Sequence, residues 1–178
     1  TESMPTPGAA ARRVVTPPAA RMPRLHDTAQ KVTVAAGVLQ MLVCCLMGLL
    51  GDAASDAAAF RGAHHQFAHN GVFQIVLGLL QPFAVAGLGA WASPLLVAAT
   101  AVGTWANGIA YSVVAFSGQR YLPLFPTTAD APRGTLGDVV VPTLLIGGVV
   151  PFMTLSVVMT LVGVLRCATV NKSGAKLA

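Results

Sequence analysis

The run VTVAAGVLQMLVCCLMGLL, residues 32–50, decides the fold. It contains no charged side chain, and a helix of that length spans roughly the 30 Å of a bilayer's hydrocarbon core. Three more stretches of the same character follow, predicting helices at about 61–83, 93–116 and 138–165. All four are continuously apolar rather than alternating, which favours helices over the strands of a membrane barrel. The expectation is an all-α, four-transmembrane-helix bundle.

Composition agrees. Of 178 residues 54% are hydrophobic and only 10% charged, which excludes an ordinary soluble domain. The predicted organisation is an extended Ala/Pro/Arg-rich tail over 1–30, a membrane domain over 31–168 and a short basic tail over 169–178. Asp27-Thr28 is a candidate cap for the first helix, and Ser93-Pro94 has the N-cap and N1 pattern for the third. In the fourth, Pro142 falls in the first turns and is tolerable, whereas Pro151 is expected to kink the helix.

Charge placement predicts the topology. Arg12, Arg13, Arg21, Arg24 and Lys31 precede the first span, and Arg166, Lys172 and Lys176 follow the last. Arg61, Arg120 and Arg133 in the other loops are offset by Asp52, Asp56, Asp130 and Asp138. The positive-inside bias then puts both termini on the matrix, stromal or cytoplasmic side. The net charge of +5 thus reflects orientation and contact with membrane lipids. Nucleic-acid binding is not expected, because the basic residues are scattered without interleaved aromatics. The tail's composition resembles an organellar targeting segment. It predicts a mitochondrial inner membrane, with thylakoid and bacterial inner membranes as alternatives, and neighbouring subunits of a large complex against the tail.

The polar residues inside the spans carry what functional signal there is, since each is costly in lipid without a partner or a task. Cys44, Cys45 and Cys167 offer no spaced redox or metal motif. His65 and His69, four apart on one helix face, are weak metal candidates, but no acid or thiol in the span completes a site. Haem held between two imidazoles would need a histidine in another span, and there is none. No cofactor is expected. In the second helix Gly71, Gln74 and Gly78 lie along one stripe with His64 and Phe67; in the third, Gly103, Asn107 and Tyr111 do the same. Small residues let backbones approach while amides and hydroxyls bond across, so these residues read as a helix-packing spine.

The run Ala63-His64-His65-Gln66-Phe67-Ala68-His69-Asn70-Gly71, with Gly78 beyond it, resembles the second-helix motif of the hydroxylaminobenzene mutase family of small four-helix membrane proteins. Val102-Gly103-Thr104-Trp105-Ala106-Asn107 is similar to that family's third-helix motif, and Gly118 with Pro123 to the turn after it. The likeness covers about Leu39 to Leu165 and implies an isomerase that rearranges an arylhydroxylamine without an external redox cofactor. On that reading His64 is the acid/base candidate, and Asn70, Thr104 and Asn107 position the substrate. One departure counts against retained chemistry: Gln66 stands where the family pattern has an acid, and an amide cannot exchange a proton as a carboxylate does.

The first functional expectation is therefore an accessory, non-catalytic subunit of an organellar inner-membrane complex, most plausibly respiratory. The alternatives are a membrane isomerase acting on a lipophilic aromatic and a small transporter or channel subunit.

Overall fold

The computed structural model describes residues 28–117, 121–122, 125–126 and 136–175. The expected basic tail and the Asp27 cap lie outside these residues. Helix α1 (Thr28–Met47) continues as a 3-10 turn (Gly48–Ala53). It is followed by α2 (Ala57–Leu88), α3 (Ala92–Ser117), a two-residue antiparallel pair β1 (Tyr121–Leu122) and β2 (Phe125–Pro126), then α4 (Leu136–Pro142), a π-helical stretch (Thr143–Val149) and α5 (Val150–Ala175). Four helical stretches, Thr28–Ala53, Ala57–Leu88, Ala92–Ser117 and Val139–Thr169, are long and apolar enough to cross a membrane. The protein is an all-helical, four-span integral membrane protein, and large side chains such as Val38, Leu42, Leu46, Leu79 and Leu161 stay exposed, as lipid contact requires.

The helices start and stop for local reasons, some unlike those expected. Helix α2 begins four residues before the predicted Arg61, because the Asp56 carboxylate accepts from the backbone N–H groups of Ala58 and Ala59 at 2.9 and 3.0 Å. It runs through Pro82 to Leu88, where Gly89 takes φ of 99° and its N–H donates to the Val85 carbonyl. That left-handed residue makes the tight turn into α3. Ser93-Pro94 is not the start of α3: the helix opens at Ala92, and the Ala92 and Ser93 N–H groups donate to Gly89 and Ala90.

The expected kink at Pro151 is a widened turn ahead of it. Residues 143–149 form a π-helix whose last bond runs from Val150 N–H to the Leu145 carbonyl, five residues back. A proline has no N–H and its ring crowds the carbonyl four residues earlier, so inserting one residue into the preceding turns relieves the clash. Gly147 and Gly148 lie inside this stretch, and Gly148 packs against Ala106 of α3.

Packing is set by glycines at crossings. A Cβ on Gly37 of α1 would meet the Gly71 carbonyl of α2 at 2.7 Å, and one on Gly71 would meet the Gly37 carbonyl at 2.8 Å. The two backbones touch there. A Cβ on Gly87 of α2 would fall on the Gly163 carbonyl of α5, and Gly103 of α3 abuts Met153 of α5. Phe67 of α2 fills the notch of Gly108 on α3 and meets Trp105 edge to face at 6.0 Å. Without a hydrophobic drive between helices in lipid, such close packing is the principal source of association.

A candidate site split across two faces of one helix

At the centre of the bundle three spans are tied through one hydroxyl. Gln40 Nε2 of α1 donates to Thr104 Oγ1 of α3 at 3.0 Å, and the hydroxyl in turn faces Gln74 Oε1 of α2 at 3.0 Å and the Thr100 carbonyl at 2.8 Å. The hydroxyl has one hydrogen, shared between these two acceptors. Asn70 Nδ2 donates to the Thr104 carbonyl at 2.9 Å. Gln40, Gln74 and Thr104 are wholly buried. Nearer the α2–α3 turn, Thr33 Oγ1 meets Gln81 Oε1 at 3.1 Å, and Gln81 Nε2 donates to the Ser93 carbonyl at 3.4 Å. These bonds cross-link helices.

One turn beyond Phe67 toward the start of α2, the half-buried His64 ring faces α1. Its nitrogens lie 3.5 and 3.6 Å from Cys44 Sγ. Residues Phe60, His64 and Phe67 follow one another at steps of four and three, hence on one stripe of α2. Phe60 packs edge to face on Phe116 of α3 at 5.9 Å.

Beside that stripe an open groove of about 450 Å³ runs between α1 and α3. Phe67 is the α2 residue that lines it, with Val43 and Met47 from α1 and Ile109, Ser112, Val113 and Phe116 from α3. The lining is apolar except for the Ser112 hydroxyl, which is already donated to the Gly108 carbonyl at 2.8 Å. Its walls can hold an uncharged aromatic ring and offer water nothing to bond.

Gln66 lies two residues after His64, about 200° around the helix, and so faces away from it. There Asn107 Nδ2 of α3 donates to Gln66 Oε1 at 2.7 Å, and one turn along each helix the Tyr111 ring lies on Gly62. His65 and His69 are exposed between these two faces of α2, their rings stacked at 6.1 Å, and His65 meets His64 edge to face at 5.9 Å. Among the described residues no group of three or more His, Cys, Asp or Glu side chains is placed to hold a metal ion.

Of the four residues expected to act together, three share the α2–α3 seam: Asn70 donates to the Thr104 carbonyl and, one turn along, Asn107 donates to Gln66, while His64 faces α1. The packing spine is also shared out: Gly71 and Gly78 pack on α1 and Gly103 on α5, while Gln74, Asn107 and Tyr111 join α2 to α3. The part α1 plays in the groove was not legible in the sequence. The groove's walls are apolar residues that look like any lipid-facing surface, and only the step of three from His64 to Phe67 hinted that an imidazole and a ring wall share a face.

Comparison with known proteins adds one finding. A family model described as styrene oxide isomerase matches residues 29–165, through all four spans. No curated protein and no solved structure matches.

Proposed function

The chain belongs to the styrene oxide isomerase family, and from that premise we propose that it is a membrane-embedded isomerase acting on a lipophilic aryl epoxide. The observation that carries the reading is the family match across the whole four-span domain. The groove beside His64 supports it. This favours the isomerase alternative over an accessory subunit, for which neither the described residues nor the comparisons offer support.

The chemistry needs little machinery. An acid at the epoxide oxygen weakens the benzylic C–O bond, which breaks with its electron pair going to oxygen. The aromatic ring stabilises the positive charge left on carbon. A hydrogen on the neighbouring carbon migrates with its pair to the cationic centre, the carbonyl forms, and the oxygen gives its proton back. Nothing is oxidised or reduced overall, and the product is an arylacetaldehyde. Water is the competitor, because it would trap the cation as a diol, and apolar groove walls at membrane depth suppress that side reaction.

In this chain the ring occupies the groove of Phe67, Phe116, Ile109 and Val113, and the epoxide oxygen points along the stripe toward His64. The acid acts at His64, whose imidazole donates the proton to the epoxide oxygen; were the acid a Lewis acid instead, His64 is the residue that would hold it and it would supply the same polarisation of the C–O bond. Cys44 fixes the ring's position. Gln40, Asn70, Gln74 and Thr104 hold α1, α2 and α3 in register beside the groove.

A mutase-type substrate is the less favoured relative of this reading. The position where the mutase pattern has an acid is Gln66, already bound to Asn107 and facing away from His64. The test is turnover of styrene oxide by the purified chain in lipid, alongside metal content and the visible absorption spectrum. Loss of activity in His64→Ala with no change in metal or spectrum identifies a proton donor. Joint loss of activity and a metal signal identifies a Lewis acid.

A further inference from the structure

Two side-chain atoms at the centre of the bundle are buried without partners: Gln40 Oε1 and Gln74 Nε2. Both amides are already anchored at their other atom to the same Thr104 Oγ1, at 3.0 Å each. Each of the three residues stands near the midpoint of its span. Lipid cannot satisfy these atoms, and an orphaned polar group at that depth is expensive.

We propose that a single buried water molecule is bound between the Gln40 and Gln74 amides and completes the Gln40–Thr104–Gln74 junction. As drawn, the orphans are one acceptor and one donor, so a water that accepts from Gln74 Nε2 and donates to Gln40 Oε1 pairs both. The oxygen and nitrogen of an amide are interchangeable in shape, and the alternative assignments are informative. Turning Gln74 over lets Nε2 donate to the Thr104 hydroxyl, which then donates to the Thr100 carbonyl. The orphans become two acceptors, and one water donates to both. Turning both amides over reverses donor and acceptor, and one water again fits. A molecule with two donor hydrogens and two acceptor lone pairs answers every arrangement; an apolar filler answers none, and a bare ion fails wherever the orphans are one donor and one acceptor. Neither amide carries charge, and no charged side chain of the described residues is bonded to the junction.

The experiment uses the full chain in lipid bilayers, with the side-chain amide protons of Gln40 and Gln74 observed by proton-detected solid-state NMR. Transfer to these protons from a slowly exchanging water that persists when bulk water is replaced by deuterium oxide supports the site, and Gln74→Leu removes that transfer for Gln40. Mutual contacts between the two amides with no transfer from water overturn it, since the orphans then pair directly. A structure resolved well enough to show ordered water supplies the independent reading. A density peak within hydrogen-bond distance of both amides agrees with the proposal, and a dry contact between them contradicts it.

Discussion

Asn107 donates to Gln66 at 2.7 Å on the face of α2 turned away from His64, which meets Cys44 of α1 instead. The amide at position 66 is thus a helix-to-helix contact. A carboxylate there would accept the same bond from Asn107, so Gln66→Glu preserves the α2–α3 seam without bringing an acid to the groove. The expected outcome is an unchanged rate on styrene oxide and no rearrangement of phenylhydroxylamine, both followed by chromatography of products.

The Thr104 hydroxyl serves two glutamines and a carbonyl at once. Thr104→Val keeps the shape and takes the shared hydroxyl away from those partners. The expected cost is about 1–3 kcal/mol of stability, measured by unfolding in mixed micelles. Thr104→Ser keeps the hydroxyl and should behave like the parent chain.

Glycine substitutions should divide by place. At Gly87 and Gly163 a side chain runs into the backbone of the facing helix, and Gly87→Val or Gly163→Val should lower stability by at least about 1–3 kcal/mol. At Gly48 and Gly147 a new Cβ meets nothing within 4 Å, so Gly48→Ala and Gly147→Ala should leave the unfolding midpoint where it is or raise it. Parallel melting of the four variants checks the division.

The groove can be filled without disturbing the bundle. Ile109 is 41% exposed and lines it from α3, so Ile109→Trp puts an indole where the substrate ring should sit. Its expected effect is a rise in KM that lowers kcat/KM roughly tenfold or more, with the melting temperature unchanged. An unaffected KM would place the substrate elsewhere.

Much of the architecture was legible because lipid imposes simple demands. Length and continuous apolarity marked four spans, and buried amides such as Gln40, Gln74 and Gln81 had to find partners across helices. Boundaries were less legible. The start of α2 depended on Asp56 reaching two backbone N–H groups, and the Pro151 effect was displaced into a π-helical turn upstream. The site was least legible of all. His64 and Asn70 are six residues apart in one motif, about 240° round the helix, so His64 meets Cys44 of α1 whereas Asn70 meets Thr104 of α3. The resemblance to hydroxylaminobenzene mutases pointed to an isomerase-like membrane fold, whereas the family shown is that of styrene oxide isomerase. The aromatic and aliphatic walls that make the groove carry no pattern distinguishing them from lipid-facing neighbours.

The most direct measurement is the rate at which the purified chain in liposomes converts styrene oxide, compared with its His64→Ala variant after both are shown to be folded. Conversion to phenylacetaldehyde by the parent chain, reduced about a hundredfold or more in the variant, is the expected result. A parent chain that yields no aldehyde, or a variant that turns over undiminished, would contradict the assignment of the reaction to the groove beside His64.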